Sequence, residues 1–115
     1  MSELANKKCV PCTTGTPPLK GEELKKLFNQ LEEGWVLEEE SKIYKAYRFK
    51  DFKEALSYVN AIGKIAEEEG HHPDIHFGWG KVKVILTTHK IKGLSSSDFV
   101  MAAKCDVAYT LVDRK

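Results

Sequence analysis

The chain has 115 residues, of which 42% are hydrophobic and 30% are charged, a length and composition that suit one globular domain. Its 18 basic and 17 acidic residues leave a formal net charge of +1, which argues against phosphate-driven binding to nucleic acid or to an anionic membrane. No stretch approaches the roughly 18 consecutive apolar residues of a membrane span, and the N-terminal segment lacks the apolar core of a signal peptide. We therefore expect a cytoplasmic protein with neither nucleic-acid nor membrane partners.

The cysteines and the size of the chain suggest its redox state and its assembly. Three cysteines cannot all pair within one chain, and Cys9 and Cys12 lie in a segment rich in Pro and Thr, so a secreted disulfide framework is not indicated. We expect reduced thiols. A domain this small gains stability by burying further surface against another copy, so we also expect self-association.

Residues 1–18 are predicted to form a flexible N-terminal tail, because proline, glycine and threonine interrupt any periodic apolar pattern there. Residues 19–115 are then a single domain. The first predicted helix covers 22–32, and Gly34 can end it. Its apolar residues follow the i, i+3, i+4, i+7 rule of one buried stripe: Leu24, Leu27, Phe28 and Leu31.

The middle of the chain predicts a hairpin followed by the longest helix. Residues 35–39 and 43–49 are rich in side chains that suit a pleated surface, and the polar link between them favours a turn. Asp51 is a good N-cap for the next helix, which keeps its apolar spacing until Gly70 stops it.

The last part of the chain repeats the strand-strand-helix order. Residues 74–79 and 81–89 predict a second strand pair, in which Thr87 lies on the same face as Lys83. Ser95 followed by Asp98 resembles a capping box that opens the last helix. The chain therefore predicts an α+β fold in the order helix-strand-strand-helix-strand-strand-helix, with a four-stranded antiparallel sheet and three helices on one face.

All four histidines lie between Glu67 and Asp98. Three of them, His71, His72 and His89, combine with these carboxylates in a pattern typical of proton transfer. Imidazole titrates near neutral pH, so two histidines can donate one proton and accept another. Gly70 ends a helix and Pro73 restricts His72 to extended conformations, which predicts a stiff corner with the side chains of His71 and His72 pointing in different directions. Glu67, on the last helical turn where a carboxylate is unfavourable, suggests a local partner such as an imidazole.

Seven positions at fixed spacing carry a family resemblance: Glu67, His71, His72, Pro73, Trp79, His89 and Asp98. This order resembles the signature of pterin-4a-carbinolamine dehydratases, and the likeness extends over roughly residues 17–113. The family fold is similar to the one predicted above.

The resemblance implies a lyase that dehydrates 4a-hydroxytetrahydropterin to quinonoid dihydropterin and water in tetrahydropterin recycling. His71 and His89 would share the acid and base roles, in either order, and His72 would mainly hold the substrate. The remaining site residues would bind substrate or orient the imidazoles: Glu67, Trp79, Thr87 and Asp98. No metal or organic cofactor is expected; the partners implied are the pterin, further copies in a homodimer or homotetramer, and a functional link to an aromatic amino acid hydroxylase.

Each of these residues also has a plain structural explanation. A single histidine near a helix end can simply bond the last carbonyls, Asp98 can serve only as a helix cap, and Trp79 can be a buried core indole. Glu67 can belong to a solvated acidic run. Two further functions stay open: a dimerisation cofactor of a homeodomain transcription factor, as in animal family members, and a metal-binding module that combines His71, His72 and His76 with the cysteines.

Overall fold

The computed structural model describes residues 18–88, 91 and 93–111. In chain order its elements are helix α1 (Gly21–Asn29), strands β1 (Val36–Glu38) and β2 (Lys42–Arg48), helix α2 (Phe52–Glu69), strands β3 (Asp74–Gly78) and β4 (Lys81–Leu86), and helix α3 (Ser96–Leu111). The predicted order of elements is confirmed. Residues 1–17 of the predicted tail, with Cys9 and Cys12, and the predicted site residue His89 lie outside the described residues.

The four strands form one sheet in the order β1-β2-β4-β3, and every neighbouring pair is antiparallel. In the central pair Ile43 lies opposite Leu86 and Tyr47 lies opposite Val82. These side chains are buried on one face of the sheet. The same core includes residues of all three helices, among them Leu24, Ile62 and Phe99. The helices therefore cover one sheet face, which confirms the predicted α+β architecture.

Helix α2 begins and ends where the sequence predicts, and its end positions the site. At its start the Asp51 carboxylate accepts the backbone N–H of Glu54 (2.9 Å), and the Glu54 carboxylate accepts the N–H of Lys50 (3.1 Å). These bonds satisfy backbone donors that the first helical turn leaves open. At its end Gly70 takes a left-handed conformation (φ 67°) and donates its N–H to the carbonyl of Ala66 (2.9 Å), as glycine does at many helix ends.

Several element boundaries differ from the prediction. Helix α1 ends at Asn29 rather than at residue 32, which keeps Glu32 and Glu33 out of the negative end of its dipole. Gly34 does not end the helix but takes φ 105° in the turn before Trp35, and Trp35 is a buried core residue outside the strand. Strand β4 ends at Leu86 instead of residue 89.

None of the helices in the described ranges is both long and apolar enough to cross a lipid bilayer.

Candidate active site

The corner between α2 and β3 carries both His71 and His72. Gly70 reverses the chain, and the backbone N–H of His71 bonds the carbonyl of Ala66 (3.3 Å), which adds a second contact to the helix end. Pro73 follows His72 and restricts its backbone. The two adjacent histidines are therefore held against α2 by local backbone structure, and their side chains diverge toward different helices.

The His71 side chain lies against the first turn of α3. Its Nε2 is 2.6 Å from Oδ1 of Asp98; the His71 side chain is 15% exposed and that of Asp98 is fully buried. The other oxygen of Asp98, Oδ2, accepts the backbone N–H of Ser95 (3.0 Å) and the hydroxyl of Thr88 (2.7 Å). Asp98 thus caps α3 and contacts an imidazole at the same time, so its capping contact is compatible with the predicted role in orienting His71.

This contact decides which nitrogen of His71 can transfer a proton. While Asp98 is ionised its oxygens can only accept hydrogen bonds, so Nε2 of His71 must carry the hydrogen. Nδ1 is then the nitrogen that can take up or release a proton without breaking the bond to Asp98. A buried carboxylate that fixes the tautomer of a histidine and stabilises its protonated form is a recurrent arrangement in acid/base catalysis.

The His72 side chain makes a second, more exposed pair. Its Nε2 is 2.5 Å from Oε2 of Glu67, and the two side chains are 59% and 78% exposed. The local imidazole partner that Glu67 suggested is therefore present. Because water competes for both groups, a pair of this kind adds little to stability; its place beside the corner suits contact with a ligand.

Two other predicted site residues have different surroundings. The Thr87 hydroxyl donates to the carbonyl of Ser41 (2.6 Å) and lies 3.3 Å from the carbonyl of Gly93. Trp79 lies in the turn after β3, where it is 71% exposed, so it is not the buried core indole. Five residues of extended strand, roughly 16 Å, separate it from Asp74 beside the histidine corner. Within one chain the structure does not bring Trp79 to His71.

The sequence analysis missed Thr88, although the alternation of β4 could have found it. Val82, Val84 and Leu86 face the core, so the next residue on that face is Thr88 rather than Thr87. Thr88 is buried, its Oγ1 lies 2.9 Å from Oγ of Ser95, and its backbone pairs with that of Gly93.

A second buried carboxylate, Asp106, lies farther along α3 and was also missed. It accepts hydrogen bonds from the indole of Trp35 (2.9 Å), the ammonium of Lys45 (2.8 Å) and the hydroxyl of Tyr47 (2.6 Å). Burial raises the pKa of Tyr47 far above its usual value, and the neighbouring Tyr58 acts in the same direction. Tyr47 therefore stays a neutral hydrogen-bond donor to Asp106 near neutral pH.

A groove of about 680 Å³ lies beside Asp106, between the segment after α1 and the second half of α3. Its lining includes Leu31, Lys45, Val107 and Thr110. It contains no histidine, and its ammonium group is already paired with Asp106. The histidine corner rather than this groove is therefore the candidate site for proton transfer. Within the described ranges no three His, Cys, Asp or Glu side chains are grouped closely enough to hold a metal ion.

Comparison with known proteins decides the family. The family model for pterin 4 alpha carbinolamine dehydratase matches residues 17–108. The chain belongs to this dehydratase family. The matched range contains every residue of the histidine signature described above, from Glu67 to Asp98.

Individual members of the dehydratase family are similar over most of the chain. A protein from Alkaliphilus metalliredigens that carries the family's name is 57% identical over 92% of this chain and 96% of its own. Another from Rubrobacter xylanophilus is 57% identical over 92% of this chain and 98% of its own. The crystal structure of a transcriptional coactivator/pterin dehydratase from Brucella melitensis superposes with a TM-score of 0.74 at 28% identity, over 80% of this chain and 98% of that one.

Proposed function

We propose that this member of the family dehydrates a 4a-hydroxytetrahydropterin to quinonoid dihydropterin and water. The observation that carries the proposal is the 2.6 Å contact between His71 and a fully buried Asp98. It supplies an imidazole in a fixed orientation at a position of the family signature. The names of relatives at 57% identity support the same substrate class.

The reaction needs two proton transfers, and we assign them to two histidines. One imidazolium gives a proton to the C4a hydroxyl, the C–O bond breaks, and water leaves. A second, neutral imidazole takes the proton from the ring nitrogen, which leaves the quinonoid product and restores the overall proton balance. His71, through Nδ1, is one member of the pair, and the sequence predicts His89 as the other. General acid/base help of this kind contributes about 10²–10⁴-fold in rate.

His72 and Glu67 would hold the pterin rather than transfer its protons. Both side chains are well exposed beside the corner, so a bound heterocycle could replace water around them. Asp98 would act through His71, since it is fully buried and touches the imidazole rather than the solvent side of the site. Trp79 and Thr87 stay predicted site residues, and a Trp79 contribution would require a second copy of the chain.

The experiment is a stopped-flow measurement of the ultraviolet absorbance of freshly made 4a-hydroxytetrahydropterin. Wild-type protein should accelerate its decay, and the double variant His71→Ala/His89→Ala should return the decay to the uncatalysed rate. His76→Ala is the matched control, because His76 is exposed on β3 outside the signature, and it should behave as wild type. A fully active, folded double variant would rule out the histidine mechanism.

A second candidate function is an interaction role in transcription, which is favoured by the likeness to the Brucella protein, named a transcriptional coactivator as well as a pterin dehydratase. Exposed apolar side chains offer a surface for it, since the rings of Phe52 and Phe77 lie 5.0 Å apart and both are partly exposed. The same surface suits the predicted homodimer or homotetramer. Light scattering gives the oligomeric state, and pull-down with a homeodomain partner, using His71→Ala as a catalytically inactive bait, separates the two functions.

A further inference from the structure

The two oxygens of Asp98 are divided between two tasks. Oδ1 lies 2.6 Å from Nε2 of His71, whereas Oδ2 accepts the Thr88 hydroxyl (2.7 Å) and the Ser95 backbone N–H (3.0 Å). The two donors to Oδ2 fix the orientation of the carboxylate through the oxygen that does not contact His71. The direction of Oδ1, and with it the hydrogen bond offered to the imidazole, therefore depends on what holds Oδ2.

Thr88 is itself fixed in position. Its backbone N–H donates to the carbonyl of Gly93 (2.8 Å), and its side chain is buried. The Thr88 hydroxyl has one proton, and an ionised Asp98 can only accept, so that proton is committed to Asp98. In the 2.9 Å contact between the hydroxyls of Thr88 and Ser95, Ser95 must then be the donor. The hydroxyls form a chain from Ser95 through Thr88 to Asp98, in which each bond polarises the next.

We propose that the Thr88 hydroxyl is a positioning group for His71 that acts through Asp98 and makes Nδ1 the nitrogen that exchanges protons with substrate. This inference deepens the proposed function and rests on it. The donors on Oδ2 hold the carboxylate so that Oδ1 stays directed toward Nε2. Nε2 keeps its hydrogen, and the ring faces the site with Nδ1. Thr88 touches no reacting atom, so its removal should lower kcat and leave substrate binding unchanged.

The test compares Thr88→Val, which keeps the shape and removes the hydroxyl, with Thr88→Ser, which keeps the hydroxyl and removes the methyl group. Thr88→Val should lower kcat by about 10–100-fold, the usual effect of losing a group that orients a functional histidine, with KM unchanged. Thr88→Ser should restore most of kcat. Thr110→Val is the control. The exposed Thr110 hydroxyl on α3 donates to the carbonyl of Val107 (2.7 Å) in the same helix, so this variant should retain wild-type kcat.

Nuclear magnetic resonance gives a readout that does not depend on turnover. The ¹⁵N shifts of His71 should show the Nε2–H tautomer in wild type and in Thr88→Ser, with a downfield Nε2–H proton that Thr88→Val weakens or loses. A wild-type Nδ1–H tautomer overturns the inference, even if Thr88→Val fails to fold. So does a Thr88→Val variant with wild-type kcat and an unchanged resonance, or a Thr88→Ser variant as impaired as Thr88→Val. An inactive wild type with the expected tautomer would refute the proposed function and leave the positioning intact.

Discussion

Helix α3 buries two aspartates, Asp98 in its first turn and Asp106 eight residues later, which is about 12 Å along a helix axis. Both carboxylates are surrounded by hydrogen-bond donors. Asp98 faces the imidazole of His71, whereas Asp106 faces the ammonium of Lys45, the phenol of Tyr47 and the indole of Trp35. The same residue type on one helix thus has two different sets of partners.

The difference shows why burial alone does not identify a catalytic carboxylate. A buried charge must be paired wherever it lies, so both clusters satisfy the same physical requirement. Only a partner that titrates near neutral pH can pass a proton on. The Asp106 cluster ties β2 to α3 through the ammonium of Lys45 and the phenol of Tyr47, and it ties the residue before β1 to α3 through the indole of Trp35.

Removing the ammonium of Lys45 beside Asp106 should show most clearly that the Asp106 cluster supports stability rather than activity. Lys45→Met should destabilise the fold by about 3 kcal/mol, because it leaves Asp106 buried without its cation. Activity of the remaining folded protein should be unchanged. Urea unfolding measures the loss.

Lys42→Met is the matched control for this prediction. The Lys42 ammonium pairs with Glu38 at 2.9 Å, but both side chains are nearly half exposed, so water screens the pair and its removal should cost far less stability than removal of Lys45. Equal losses for the two lysine variants would contradict the structural role given to Asp106.

A smaller effect appears at alkaline pH. Burial raises the pKa values of Tyr47 and Tyr58 in the folded protein above the usual value of 10.0. Above pH 10 the unfolded chain releases these protons while the folded protein keeps them, so stability is complete below pH 10 and falls as the pH rises. Each tyrosine contributes about 1.4 kcal/mol per pH unit to this fall.

Tyr47→Phe should therefore make the fall in unfolding free energy above pH 10 shallower by the contribution of one tyrosine. Urea unfolding at a series of pH values, each compared with the same variant at pH 7, measures the slope. An unchanged alkaline slope would show that Tyr47 is not held neutral in the folded state.

The smallest effect concerns the exposed pair at the corner. Glu67→Gln should change the free energy of unfolding by less than about 1 kcal/mol, because water already screens the contact between His72 and Glu67. Its main effect should be a higher KM, since these side chains are proposed to hold substrate. A stability loss as large as that of Lys45→Met would place this pair among the structural contacts instead.

The sequence was sufficient for those parts of the fold that depend on local signals. Asp51 and Gly70 mark the two ends of α2 because capping is a contact between near neighbours, and the Ser95–Asp98 bond at the start of α3 has the same origin. The stiff corner at His71 and His72 follows from Gly70 and Pro73.

Contacts between distant parts of the chain could not be predicted in this way. The partners of Asp106 lie 59 to 71 residues away in sequence, and no local pattern indicates that Lys45 turns inward. Helix α1 ends earlier than its apolar stripe predicts, and Gly34 serves the approach to Trp35. Thr88 was missed for another reason. The family signature includes His89, and Thr87 lies on the same predicted strand face as His89, whereas alternation with Val82, Val84 and Leu86 places Thr88 on the core face.

The division of roles between the two aspartates is tested by comparing Asp98→Asn with Asp106→Asn, each assayed for 4a-hydroxytetrahydropterin dehydration at equal concentrations of folded protein. We expect Asp98→Asn to lower kcat by at least about 100-fold, because an amide can no longer fix the Nε2–H tautomer of His71 or stabilise its protonated form. Asp106→Asn should keep wild-type kcat and lose only stability. A folded Asp106→Asn protein without activity, or an Asp98→Asn protein with wild-type kcat, would contradict that division.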